Sequence, residues 1–556
     1  MAREPASFTR AKAENPHLSR YCAGLEEEVQ FVETLSGDEV ELEEFSFIYP
    51  VGDPFFVHIF KKEGMTRPLY NIIEPNLSGI DEKYREILYR LLEYASLEEE
   101  FKTEEEFTAL VERLLKKVSY PTERPVEFKI RNNNGNRTSG LIPRLINNRR
   151  KVPLSKEEHD IILHRLKRDT LQHGIIEGLL RDPYIEDIHA VGLRDIHIVH
   201  KVFGMLKTNI KFKSSRELDR FLRNISERVG HPVSDTRPIV DAALPDGSRI
   251  NIVYSSDVSR EGPSFTIRKF TEKPPPFSQL IKWGTFDPMI GAYLWLCLEN
   301  GMSIFISGET ASGKTTTLNS MLSFINHKSK IFSAEDTPEV VVPHPVWQRL
   351  ITREAGALES RVELFDLVRT ALRSRPDYII IGEVRGKEGS AAFQAIQTGH
   401  AVLTTFHASS ISRMIQRFTG EPINVPIRFM DNLNIALFQE IIYIKGRIVR
   451  RCSSVQEILK YSKEKDGVLT REIFTWDPVT DSHLFIGKYN SYILEEKIAT
   501  KLGLEEKKDI YDELERRARI IRRMVEENIL DYDRINAIMR DYYEKGFDGI
   551  PEYLKT

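Results

Sequence analysis

The chain has 556 residues, 41% of them hydrophobic and 29% charged. That length exceeds what one hydrophobic core organises and predicts about three or four domains, and a net charge of −4 gives no global reason to expect a nucleic-acid partner. The cysteines Cys22, Cys297 and Cys452 form no C-x-x-C pair, so neither a zinc site nor a disulfide framework is expected.

Met1-Ala2-Arg3-Glu4 opens the chain with charge and without the apolar core of a secretory signal. Acidic runs at Glu26–Glu28, Glu41–Glu44, Glu98–Glu100 and Glu104–Glu106 alternate with helical spacings such as Ile87, Leu88, Leu91 and Leu92. They predict a small, mostly helical, acidic domain over 1–130, its charges being solvated helix faces before they are a docking surface. Arg131–Gly140 reads as a flexible loop or linker. The basic residues beside it, Arg144, Arg149, Arg150 and Lys151, could meet an anionic membrane surface, although a surface loop is the simpler reading.

Over 155–270 a helix from Asp160 to Leu180 gives way to short alternating runs: Ile196–Val199, Ile210–Phe212, Arg249–Val253 and Ser264–Arg268. With a helix over Glu217–Val229 and a turn at Pro245-Asp246-Gly247, they predict an α+β domain with an antiparallel sheet. His197 and His200, three apart on a strand, face opposite ways and make no metal pair. Residues 271–277, with Pro274, Pro275 and Pro276, read as a stiff linker.

Beyond it, over 278–556, Asp287-Pro288 caps a helix. Strands at 304–307, 331–334, 378–382 and 402–406 alternate with helices, which predicts a parallel sheet covered on both faces. The apolar window Met289–Ser307 is broken by Glu299, Asn300 and Gly301, so no membrane-spanning helix is expected. From about residue 490 the tail reads as helical and charged.

Gly308-Glu309-Thr310-Ala311-Ser312-Gly313-Lys314-Thr315 fits G-x-x-x-x-G-K-[ST]. The apolar run Ile304–Ser307 before it reads as a buried strand. Thr316 to Ile325 after it reads as a helix with Leu318, Met321, Leu322 and Ile325 on one face. Such a junction makes a nest of backbone N–H groups for phosphate, with Lys314 as a point charge and the Thr315 hydroxyl as a Mg²⁺ ligand. The reading is nucleoside triphosphate binding.

About 70 residues on, Tyr378–Ile381 reads as a central strand that ends in Gly382-Glu383, a carboxylate able to orient water or take its proton. Glu335, Asp336 and Glu339 crowd another strand end, too many for a dry core without a cation or water. His400 and His407 bracket the run Ala401–Phe406. Either could sense a γ-phosphate, or simply cap and pack.

In this order the segments resemble the type II/type IV secretion ATPases, archaeal branch, over roughly residues 180–450. Gly308–Asn319 is similar to the family's Walker A, Glu335–Glu339 to its acidic box, and Gly382–Arg385 to its Walker B. Thr398–His400 with Thr404–His407 is similar to its histidine box. Asp182–Ile188, Pro245–Arg249 and Phe265–Arg268 resemble its N-terminal sheet domain.

The resemblance implies an α/β, RecA-like P-loop core with a parallel sheet, preceded by an α+β, PAS-like sheet domain and the helical N-terminal domain. It implies a cytoplasmic homo-hexamer, peripheral at the inner face of the cell membrane. Such a motor hydrolyses ATP with Mg²⁺ to drive a pilus or archaellum through a polytopic membrane platform protein. ATP would sit between two domains and be bound by Gly308 to Thr316, His400 and His407. Glu383 and Glu335 would be catalytic, and Arg237, Arg249 or Arg268 would reach the phosphates. Thr315 and Asp336 would help hold Mg²⁺. Two departures stand out: Gly382 occupies the place of a metal-holding aspartate, and the four-cysteine zinc insert of bacterial relatives is absent. The alternatives are a DNA-transporting, conjugation-type ATPase and a non-hydrolysing, nucleotide-gated scaffold.

Overall fold

The computed structural model describes residues 6–26, 28–33, 35, 44–95, 103–128, 151–270, 273–353, 361–444, 447–464 and 466–555. The Arg131–Gly140 segment, Arg144, Arg149 and Arg150 lie outside them. The chain divides into two compact units, Met1–Lys269 and Phe270–Thr556.

The first unit is built on a ten-stranded sheet. Its order is Gln30–Phe31, Phe45–Pro50, Phe56–Lys61, Leu69–Ile73, Gly204–Thr208, His197–His200, Ile185–Val191, Ser264–Arg268, Arg249–Val253 and Ile239–Ala243. Ile250 opposite Ile267 and Ile252 opposite Phe265 share the buried face, the period-2 pattern expected of a sheet covered on one side. The reading of residues 1–130 as a separate helical domain is therefore corrected. Helices Asp81–Ala95 and Glu104–Val118 do form there and close a small core with Lys156–Thr170. However, three strands between Phe45 and Ile73 enter the same sheet as the strands after 185, because Phe47, Tyr49, Val57, Ile59 and Tyr70 need that core. The run Ile210–Phe212 forms no strand; Gly204–Thr208 takes its place against His197–His200.

His197 is exposed and His200 is buried, as their spacing requires. Backbone N–H groups of Val202 and Phe203 donate to His200 Nδ1, and Asp182, fully buried beside it, accepts from the hydroxyls of Tyr49 and Tyr70, both at 2.7 Å. His200 is a core histidine.

The second unit carries a nine-stranded sheet. Its order is Trp347–Ile351, Ile331–Glu335, Tyr378–Val384, Ala401–Phe406, Ile304–Gly308, Ile435–Ile444, Arg447–Ser462, Gly467–Asp477 and Ser482–Phe485. The first six are parallel and the last three add antiparallel. Alternate residues serve two cores: Ile304, Ile306, Ile380 and Leu403 face one, Phe305, Ile379, Ile381 and Val402 the other. Helices Pro288–Glu299, Ile510–Glu526 and Tyr532–Lys545 cover the first face, and Leu364–Ser374, Glu388–Gln397 and Ile411–Thr419 the second. Asp287 caps the helix begun by Pro288, its Oδ1 accepting from Met289 N at 2.7 Å. Of the expected linker 271–277, residues 271 and 272 lie outside the described residues. The described part is packed onto this unit: Pro274 and Pro276 are buried, and Ser320 Oγ donates to Pro275 O at 2.6 Å.

Candidate active site

Strand Ile304–Gly308, fully buried, delivers the loop, and helix Lys314–Met321 leaves it. Gly313 has φ 92°, a left-handed turn that suits glycine. At Gly308 an added Cβ would lie 2.3 Å from the Gln439 carbonyl oxygen, so this position tolerates only hydrogen. Lys314 Nζ donates to the carbonyls of Gly308 at 3.1 Å and Glu309 at 2.8 Å, folding the ammonium into the loop. The Ser312 hydroxyl is buried with no hydrogen-bond partner among the described residues. Glu309, Thr310 and Ala311 form the exposed crown, with Thr315 and Thr316 half-buried on the first helical turn. Bent backbone, helix N-terminus, lysine and an unsatisfied hydroxyl together make an anion cradle.

The carboxylate comes from two strands away. Strand Tyr378–Val384 carries a register shift between Ile381 and Glu383 against strand Ala401–Phe406, leaving Gly382 as the bulge. Thr405 Oγ1 donates to the Gly382 carbonyl at 2.7 Å and holds that bulge. A bulge re-aims the next side chain, here Glu383. His407, just past the intervening strand, places Nε2 2.7 Å from Glu383 Oε1 and Nδ1 3.4 Å from Lys314 Nζ. Because an ammonium only donates, His407 Nδ1 accepts from Lys314, which leaves the ring proton on Nε2, the nitrogen nearer Glu383. Burial, joined by the Lys314 charge and opposed by Glu383, holds the His407 pKa below its ordinary value. Arg385 pairs with the other Glu383 oxygen, and Glu388 Oε1 accepts from the N–H groups of Arg385 and Gly386, both at 2.5 Å, fixing the turn.

The remaining expected residues are placed less uniformly. Glu335, 1% exposed, accepts from Glu339 N at 2.8 Å and Val340 N at 2.6 Å and has its pKa pushed up to about 7, chiefly by burial. It packs against Gly382, where an added Cβ would meet Glu335 Cγ at 3.2 Å. Asp336 is exposed at the end of that strand. It follows a strand three places from the loop strand in the sheet. His400 is not brought to the site. It precedes strand Ala401–Phe406 while His407 follows it, and the phosphate loop is at the His407 end, about 20 Å away. His400 Nδ1 instead meets Thr398 Oγ1 at 3.1 Å, at a helix C-terminus.

Arg237, Arg249 and Arg268 belong to the first unit and are exposed. Arg249 stands opposite Arg268 and is held by Asp241 through Nε at 2.8 Å and Nη2 at 2.5 Å. Sequence reasoning missed Gln439, Arg450 and Glu388. The first two lie on strands Ile435–Ile444 and Arg447–Ser462, whose alternation was legible but carried no motif.

The type II/IV secretion system protein family matches residues 169–483, more than half of the chain. The chain belongs to this family. Protein MJ0900 of the archaeon Methanocaldococcus jannaschii is 52% identical over 98% of both chains. The type IV secretion system protein VirB11 of Bartonella quintana is 29% identical over 34% of this chain and 62% of its own. Among solved structures, the Legionella pneumophila ATPase DotB aligns over 65% of this chain and 93% of its own, at 19% identity and a TM-score of 0.38. The family match takes in the phosphate loop, Glu335, Glu383 and His407, and it also spans strands of both units. Among the described residues of this secretion-family chain, no helix is long and apolar enough to cross a membrane.

Proposed function

We propose that this chain hydrolyses ATP with Mg²⁺ as a homo-hexameric motor. It would act at the cytoplasmic face of a membrane, through a polytopic platform protein, to assemble a type IV pilus-like filament. The observation that supports the chemistry best is the chain of contacts from Lys314 through His407 to Glu383, which links a phosphate cradle to a carboxylate. In this reading the loop N–H groups and Lys314 hold the phosphates. Glu383 orients the attacking water and takes its proton, and His407 steers Glu383.

Mg²⁺ would neutralise charge developing on the transferred phosphoryl group. The Thr315 hydroxyl is the fitting protein ligand, since Mg²⁺ keeps several waters and binds through substrate phosphates rather than a protein cage. Glu335, which shapes the turn before Val340, and Asp336 would help position Mg²⁺ through water. Arg237 and Arg268 are the arginines we assign to phosphate; Arg249 would first have to leave Asp241.

The test is Mg²⁺-dependent phosphate release from ATP by the purified full chain, alone and with anionic lipid vesicles. Glu383→Gln should keep ATP and lose turnover by about 10³-fold. Unchanged turnover in that variant removes Glu383 from the chemistry. A single-subunit mass in light scattering with ATP present removes the ring.

A further inference from the structure

We propose that Arg450 is a further nucleotide-binding residue, delivered to the phosphate loop from outside its motif by strand Arg447–Ser462. The inference rests on the nucleotide-binding reading of the loop. Arg450 Nε donates to the Ala311 carbonyl at 2.9 Å, and a Cβ added at Gly313 would meet Arg450 Cδ at 3.3 Å. The side chain therefore lies across the turn formed by Ala311, φ 63°, and Gly313, φ 92°. Ala311 holds a left-handed conformation without being glycine, which costs energy, and the guanidinium engages the carbonyl at that strained residue.

Only one edge of the guanidinium is used. Among the described residues neither Nη group has a hydrogen-bond or ion-pair partner, and Arg450 is half-buried. Lys314, by contrast, has its ammonium turned into the loop carbonyls. Arg450 is thus a second cation at the same loop, with planar donors that suit phosphate oxygens.

The strand pair that carries it is built against the loop. The Gln439 carbonyl closes over Gly308, and Gln439 Nε2 donates to Thr317 Oγ1 at 2.8 Å. Next to Arg450, Arg451 is locked by Asp481 through Nε at 2.7 Å and Nη2 at 2.8 Å. An arginine on so fixed a strand has little freedom to leave the loop. The ligand class is a nucleoside di- or triphosphate, and the group contacted is its phosphate chain.

The experiment titrates a fluorescent ADP analogue into the full chain and into Arg450→Ala, Arg450→Gln and Arg450→Lys, with thermal unfolding of each. Steady-state hydrolysis is measured in parallel. A charge-assisted hydrogen bond lost from bound phosphate weakens binding by about 10-fold or more. Arg450→Ala and Arg450→Gln should show that loss, and Arg450→Lys a smaller one that grows as salt is raised. KM for ATP should rise with kcat nearly unchanged, the mark of contact made equally in ground and transition states. Wild-type binding with Arg450→Ala and Arg450→Gln within twofold of it overturns the assignment. So does equal weakening in all three variants with a matching fall in unfolding temperature, since that marks a brace for the loop. No binding by the wild type overturns the loop reading itself.

Discussion

His407 Nε2 lies 2.7 Å from Glu383 Oε1, at the ends of two adjacent parallel strands. The same ring touches Lys314 with its other nitrogen at 3.4 Å, so one imidazole stands between the loop lysine and the carboxylate. Removing the ring should leave phosphate binding to the loop and disorient Glu383. His407→Ala is expected to lower turnover by about 10²-fold, with nucleotide affinity within about threefold. Single-turnover hydrolysis and a binding titration separate the two. The His407 pKa is held below its ordinary value, so the ring stays neutral to lower pH than a free histidine does. The acid limb of wild-type activity should fall below about pH 6.5, since protonating Nδ1 sets a second positive charge against Lys314.

Gly308→Ala tests the closure of the loop by its neighbour strand. The added methyl carbon would meet the Gln439 carbonyl oxygen at 2.3 Å and Ser312 Oγ at 2.6 Å, and the first of these is backbone. Strand Ile435–Ile444 pairs with Ile304–Gly308 in register, so neither can yield without breaking the ladder. Nucleotide binding should fall at least about 100-fold, because a shift near 1 Å spoils a nest of several N–H donors. The unfolding temperature should drop as well. Binding within a factor of a few would show that the loop tolerates the methyl.

Much of the second unit was legible because its signals are local. A buried parallel strand is a short apolar run, and a phosphate loop needs glycines at fixed offsets, so Ile304–Gly308 and Lys314 follow from neighbouring letters. The first unit was less legible. Acidic runs around Glu41–Glu44 hid the strand Phe45–Pro50, which pairs locally with Phe56–Lys61 but joins the larger sheet only through Leu69–Ile73, whose partner Gly204–Thr208 lies over 100 residues away. His400 and His407 look alike in sequence, and only the direction of strand Ala401–Phe406 separates them. Arg450 was invisible because its partner, Ala311, is 139 positions distant and bonds through backbone.

The first unit should lose stability with acid in a window set by His200. This ring is 1% exposed and its pKa is pushed down to about 4, chiefly by burial, while Lys201 lowers it and Asp182 raises it. A depressed folded pKa means the unfolded chain binds the proton first. The contribution is therefore complete above about pH 6.5, falls as pH drops, and is gone near pH 4. It amounts to about 3 kcal/mol. Denaturant unfolding of the wild type and His200→Phe across this range should show the wild type declining more steeply. Parallel curves would remove His200 as the source.

Glu457 should anchor the C-terminal helical tail to the sheet. It is fully buried on strand Arg447–Ser462, accepts from Tyr293 OH at 2.9 Å and Ser491 Oγ at 2.5 Å, and takes Tyr492 N at 2.7 Å. Ser491 and Tyr492 lead into the helix Ile493–Ala499, whose Ile493, Leu494 and Ile498 complete the core. Glu457→Ala leaves two hydroxyls and one N–H without an acceptor in that core, a cost of about 3 kcal/mol. Hydrogen exchange should quicken first over 491–502. Glu457→Gln keeps one carbonyl acceptor and should cost less. Burial raises the Glu457 pKa above its ordinary value, so the folded state releases this proton at higher pH than the unfolded chain does, and stability falls as pH rises above about 4.5. The penalty for Glu457→Gln should accordingly shrink from pH 5 to pH 8. A penalty that grows over that range would mean the carboxylate is stabilised as an anion and that its donors, not burial, decide its charge.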